Sequence, residues 1–258
     1  MATVTESNPF LLSGALEPAA EDEQPHVHVY GKLKNGEGRI VCVTEDAAKP
    51  KNLDIHRNEI VVGLGNMIPL WVPNATLYWR FNKRSFQAFA NPAAAKKRIR
   101  DLMDTAVSRW GDACPVKFKE REQGWDFEVV VRNSPDCDAS GCVLASAFFP
   151  DGGRHKVTIY PTMFDQDDEE QIETLVHEFG HVFGLRHFFA KVSETQLASE
   201  IFGTHVRFTI MNYGSDSKLT DADRNDLKAL YQQVHSGALR AINGTPIKLV
   251  RPFSSLGM

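Results

Sequence analysis

His177-Glu178-Phe179-Gly180-His181-Val182-Phe183-Gly184-Leu185-Arg186-His187 is the stretch from which the rest of the chain is read. Residues four apart on an α-helix lie on one face, one turn above each other, so His177 and His181 can offer ring nitrogens to a single ion. A third histidine ten residues after the first cannot reach that ion if the helix continues, because ten helical residues advance roughly 15 Å. The helix must therefore stop between them. Gly184 supplies the stop: lacking a Cβ, it can take the left-handed conformation that ends a helix and turns the chain back, bringing in His187. Three protein ligands leave one tetrahedral position of a zinc ion open to water, which marks a catalytic rather than a structural site. Glu178, beside the first ligand, would face that water as general base.

The helix carrying the motif is legible in its own right. Ile172, Leu175, Val176, Phe179 and Phe183 recur at helical spacing and form an apolar stripe, which leaves the histidines on an adjacent face able to line a cleft. The acidic run Asp165-Gln166-Asp167-Asp168-Glu169-Glu170 suits a helix start, where carboxylates meet the positive end of the dipole. Calcium is a second reading of that run, but capping and solvation explain the same residues without a ligand.

At these residues the chain resembles the metzincin zinc endopeptidases, whose signature is this long zinc motif followed by a methionine turn. Thr209-Ile210-Met211-Asn212-Tyr213-Gly214 looks like that turn. Within the superfamily, Leu144-Ala145-Ser146-Ala147-Phe148-Phe149-Pro150 and the motif helix resemble matrixins. The resemblance implies an α+β catalytic domain with a twisted, mostly parallel sheet, an antiparallel edge strand over the cleft, an active-site helix and a C-terminal helix. It implies a zinc-dependent metalloendopeptidase with one catalytic zinc on His177, His181 and His187 and Glu178 as general base. An extended peptide would add to the edge strand as an antiparallel partner. An ordinary buried strand at 143–149 explains the same residues equally well. Two features depart from the matrixin pattern. The loop from Asn133 to Gly141 lacks the histidines of that family's second, structural zinc, so one zinc is expected. Tyr213 resembles the tyrosine that astacins and serralysins carry two positions after the methionine, where it ligates zinc or stabilises the oxyanion; packing in the turn is the other reading. A zinc peptidase of restricted specificity and a non-catalytic, zinc-stabilised peptide-binding module are the competing functions, and the intact Glu178 speaks against the latter.

With 258 residues, 42% of them hydrophobic, the chain can bury one good core. It divides into a disordered acidic start at 1–25, a β-rich segment at 26–69 that is either a pro-segment or an accessory sheet, a catalytic domain at 70–235 and a tail at 236–258. A helix is expected from Pro92, with Ile99, Leu102, Met103, Ala106, Val107 and Trp110 on one stripe and Gly111 after it. A last helix is expected from Thr220, with Asp223 at capping-box spacing. The formal net charge of −4 gives no argument for nucleic acid, and no apolar run is long enough to span a membrane. A monomer is expected. Residues 1–20 do not read as a signal peptide, which points to a cytoplasmic or leaderless secreted protein. Cys137 and Cys142 bracket a loop that a small disulfide could close, yet a cytoplasmic reading favours free thiols. Matrixin precursors block the zinc with a propeptide thiolate. The flanks of Cys42, Arg39-Ile40-Val41 and Val43-Thr44-Glu45-Asp46, do not match that family's switch motif, so Cys42 reads as a buried strand cysteine whose replacement by Ser leaves activity unchanged.

Overall fold

Alternating apolar residues build the central sheet. In Thr76–Phe81 (β4), Leu77, Trp79 and Phe81 are buried while the residues between them are partly exposed, the period of a strand with one face on a core. Phe127–Val131 (β6) turns Phe127, Val129 and Val131 into the core, and its other face carries Val130 and Glu128, which pairs with Arg80 at 2.7 Å. The computed structural model describes residues 28–32, 39–42, 67–137, 141–187, 200–203, 209–211 and 218–256, with 28–32 and 39–41 described by their backbone course.

Five strands form the main sheet in the order β5-β4-β6-β10-β9, where β5 is Lys117–Glu120, β9 Ala145–Ser146 and β10 His155–Ile159. Four run parallel, and β9 pairs antiparallel with β10 at the edge. This is the α+β, mostly parallel arrangement with an antiparallel edge that the resemblance implied.

Three α-helices lie among the described residues. Helix α1, Pro92–Trp110, opens on Asn91, whose side chain accepts from Ala94 N, has Pro92 in its first turn and closes on Gly111 at φ 57°. Ala95, Ile99, Leu102, Met103, Ala106 and Trp110 form its buried stripe. Helix α2, Asp168–Val182, carries the motif. Its cap is Asp167, while Asp168 pairs with Arg98 at 2.6 Å and Glu169 grips Arg109 through two bonds of 2.7 Å. The acidic run thus starts the helix and ties it to α1. Helix α3, Asp221–His235, has the expected capping box: Thr220 Oγ1 accepts from Asp223 N, and the Asp223 carboxylate accepts from Thr220 N. Replacing Thr220 with Ala should cost about 1 kcal/mol of stability, read as an earlier urea midpoint with unchanged slope.

The helices meet the sheet through aromatic rings. Phe118 of β5 stacks on Phe179 of α2 with centroids 5.2 Å apart, and Trp110 of α1 donates its indole N–H to Val176 O at 3.0 Å. Two more donors finish α2, whose last carbonyls have no partner inside the helix. Trp71 Nε1, on β3 (Ile68–Trp71), donates to Val182 O at 2.7 Å, and Tyr231 Oη donates to Phe183 O at 2.9 Å. Burial pushes the Tyr231 phenol far up, so it remains a neutral donor. Trp71→Phe leaves Val182 O without this donor and, at a fully buried position, also removes ring volume from the core. A loss of about 1–3 kcal/mol is expected in urea denaturation, and an unchanged midpoint would remove this cap from the account.

Three differences from the sequence reading concern the periphery. The run at 143–149 is not one strand: Cys142–Val143 (β8) pairs antiparallel with Asp136–Cys137 (β7), and only after Leu144 does β9 turn to β10. The second sheet has the order β1-β2-β8-β7, in which Arg39–Cys42 (β2) pairs antiparallel with His28–Lys32 (β1) and lies parallel on β8. Cys137 and Cys142 are joined in a disulfide rather than left as free thiols, because the β7–β8 pairing sets them directly opposite each other. The stretch read as a tail instead forms a hairpin of Ala241–Ile242 (β11) and Thr245–Val250 (β12), with β12 parallel to β3. Asn243 and Gly244 at φ 48° and 92° make its two-residue turn, which needs positive φ at both positions. Much of the segment read as β-rich, residues 43–66, lies outside the described residues.

Candidate metal centre

The helix stop at Gly184 is a Schellman motif. Gly184 has φ 92°, its N–H donates to His181 O at 2.8 Å, and Leu185 N–H donates to Gly180 O at 2.8 Å. An L-residue with a side chain resists that φ, so the glycine is what lets the chain reverse. His187 returns to the face that carries His177 and His181. His177 Nε2 lies 3.1 Å from His181 Nε2 and 3.3 Å from His187 Nε2. Nitrogens bound tetrahedrally at ordinary zinc distances stand roughly 3.3 Å apart, so this donor set fits a zinc ion.

Two of the rings are oriented from behind. His177 Nδ1 donates to Ile210 O at 2.7 Å and His181 Nδ1 to Leu185 O at 2.8 Å. A carbonyl can only accept, so both protons sit on Nδ1 and both Nε2 lone pairs face the shared centre. Leu185 therefore acts twice, closing the helix with its N–H and aiming His181 with its C=O.

Met211 forms the floor. Thr209 Oγ1 accepts from Met211 N at 3.3 Å and donates to Asp223 Oδ1, which joins the turn to the capping box of α3. A Cβ placed on Gly180 would lie 2.4 Å from Met211 Sδ and 3.3 Å from Met211 Cε, so the second variable position of the short motif is filled by the methionine. Gly180→Ala should cost about 1–3 kcal/mol through overpacking and weaken zinc retention, measured by thermal unfolding and chelator competition. Tyr213 lies outside the described residues.

A fourth donor, Cys42, also lies at this centre, a placement that its reading as a buried strand cysteine did not include. Its thiol is buried, 3.4 Å from Glu178 Oε1 and 3.7 Å from His181 Nε2. Cys42 Sγ and one ring nitrogen from each of the three histidines lie within 4.8 Å of one another. A thiolate and an imidazole on one tetrahedral zinc stand roughly 3.6 Å apart. Cys42 is thus a strand cysteine, as read, but its strand delivers it to the centre. The flanking residues did not announce this because the delivery depends on β2 adding to β8. Glu178 is 2% exposed, closed in by the same strand end. Phe149 covers another side, with its ring edge-on to His181 at 5.3 Å between centroids.

Fold and site together define a zinc metalloprotease domain. The chain belongs to the matrixin family: the family's sequence profile matches residues 71–232. It is 30% identical over 103 residues to human stromelysin-3, covering 36% of this chain and 21% of that protein. It is 27% identical over 164 residues to metalloendoproteinase 4-MMP of Arabidopsis thaliana, covering 58% and 47%. The chain therefore spans about half or less of the length of these curated relatives. Among solved structures, myroilysin aligns over 63% of this chain and 95% of its own at a TM-score of 0.40 and 13% identity. The hatching enzyme HCE-1 of Oryzias latipes, described as a zinc-protease, aligns over 63% and 94% at 0.39 and 11%. No helix among the described residues is long and apolar enough to cross a membrane.

Proposed function

We propose that this chain is a zinc metalloendopeptidase that hydrolyses internal peptide bonds, described here with its N-terminal strand closing the cleft. The observation that carries the reading is the convergence of three Nε2 atoms beside a buried glutamate, with a thiol filling the remaining side. His177, His181 and His187 would hold the ion, which when bound polarises a carbonyl and acidifies a water. Glu178 takes the proton of the attacking water and returns it to the leaving amine. Tyr213 keeps the role of oxyanion donor in this reading. An extended peptide is the substrate, added along the edge that β2 occupies here. Because β2 runs parallel to β8, an antiparallel substrate would lie opposite in direction to it.

The test is zinc-loaded protein, with and without Cys42→Ser, incubated with internally quenched peptides, with the cut sites located by mass spectrometry. Internal cuts in the Cys42→Ser chain, abolished by chelation and by Glu178→Ala, are the expected result. Intact peptides despite one bound zinc in both chains, and still intact once the residues before Met67 are removed, would remove the endopeptidase reading in favour of a binding module.

A further inference from the structure

The β7–β8 hairpin is the seat on which β2 rests. β8 is two residues long, and β2 meets it at two register positions, Ile40 opposite Cys142 and Val41 opposite Val143. The next residue is Cys42, whose thiol lies against Glu178 and His181. One half of the seat is therefore a disulfide cysteine, since Cys142 is bonded to Cys137 on the neighbouring strand. The Val143 end is held from the other side as well: Thr162 Oγ1 donates to Val143 O at 3.0 Å and Tyr160 N to Leu144 O at 2.9 Å. The Cys142 end is held by the cross-link and by a ladder of two residue pairs, and so short a ladder is marginal in water by itself. Cys137 is exposed and Cys142 buried, so a thiol arriving from solvent meets Cys137 Sγ first.

We infer that the Cys137–Cys142 disulfide is a redox latch on the catalytic cleft. Closed, it fixes the β8 edge along which β2 delivers Cys42; reduced by a dithiol, it frees that edge and β2 leaves. The inference rests on Cys42 being the group that blocks the site. A thiolate of the dithiol attacks Cys137 Sγ and expels Cys142 as thiolate, and the second thiol then attacks the mixed disulfide and expels Cys137. Two electrons pass to the protein, its two new thiolates take up the protons given up by the dithiol, and the reductant ends as a disulfide.

The experiment follows alkylation of Cys42 by iodoacetamide in the zinc-loaded full chain, quantified by mass spectrometry. Three samples are compared: oxidised wild type, Cys137→Ser/Cys142→Ser, and wild type reduced with dithiothreitol, desalted and resupplied with zinc. Cys114 is the internal slow reference, because burial pushes its thiol up to about 11. The latch requires Cys42 to react at least about tenfold faster in the second and third samples, with peptide cleavage rising in step. Reoxidation of the reduced protein should restore protection, which a misfolded chain would not do. Equal, slow labelling in all three samples overturns the latch while leaving the blocking role of Cys42 intact. Labelling of the oxidised native protein as fast as in urea overturns the blocking role, and the latch with it.

Discussion

Glu178→Gln, introduced into a chain that also carries Cys42→Ser, is expected to lower kcat/KM for a quenched peptide by roughly 10²- to 10⁴-fold. The glutamine keeps the size of the side chain and can still accept a hydrogen bond, but it cannot take the water's proton. Its Oε1 neighbourhood is otherwise set by α2, whose histidines draw their aim from Ile210 O and Leu185 O. Zinc affinity should therefore stay within about threefold, since none of those bonds involves Glu178 and second-shell losses typically cost more than that. The double background matters because in the unaltered chain the thiol beside Glu178 would mask the effect. A Glu178→Gln chain that retains its cleavage rate would reassign the general base. A chain that loses zinc as well would show that Glu178 supports the ligands rather than the water.

What could be read from the sequence was whatever local geometry decides. The i, i+4 histidines, the glycine stop and the return of His187 are consequences of helix pitch and of φ at a single residue, and they stand in the structure at Gly184 as the spacing requires. The stripe of α1 and the Thr220–Asp223 capping box are equally local. The fold beyond them is set by partners distant in sequence. Cys42 reaches Glu178 across 136 positions, through a parallel pairing in which β8 contributes two residues, and no periodicity in residues 39–42 encodes that. The split of 142–146 into β8 and β9 is not legible for the same reason, because the run from Cys142 to Ala145 is continuously buried and only the strand partners differ. The C-terminal hairpin is a different case. Asn243-Gly244 between Ile242 and Thr245 is a strong local hairpin signal, and it stands in the sequence of the stretch read as a tail. Gly180 was also legible in part, since a glycine inside a helix costs about 1 kcal/mol and calls for a packing reason, here Met211.

Cys42→Ser should activate the full chain, with cleavage rising on the order of 10²-fold, against the unchanged rate that the flanking sequence suggested. In the closed state β2 meets β8 at only two register positions, so the strand pairing alone is a weak hold. The thiol adds what the pairing lacks: it fills the space between Glu178 and His181 and presents a sulfur at the distance a zinc thiolate would have. Serine is nearly isosteric, yet its hydroxyl stays protonated at neutral pH and is a poor zinc ligand, so the strand loses its anchor while the fold keeps its shape. Each tenfold shift in the open population corresponds to about 1.4 kcal/mol, and the loss of one metal-ligand contact readily exceeds twice that. The rise should appear at subsaturating peptide as a lower apparent KM, because peptide and β2 compete for the same edge and saturating peptide draws the closed molecules open, while kcat stays near constant. Wild type and Cys42→Ser chains with equal, high rates would show that β2 leaves the cleft unaided and that the contacts of Cys42 do not restrain the enzyme. Equal rates near zero would place the restraint elsewhere on the N-terminal strands, and removing residues before Met67 would then have to restore cleavage for the endopeptidase reading to stand.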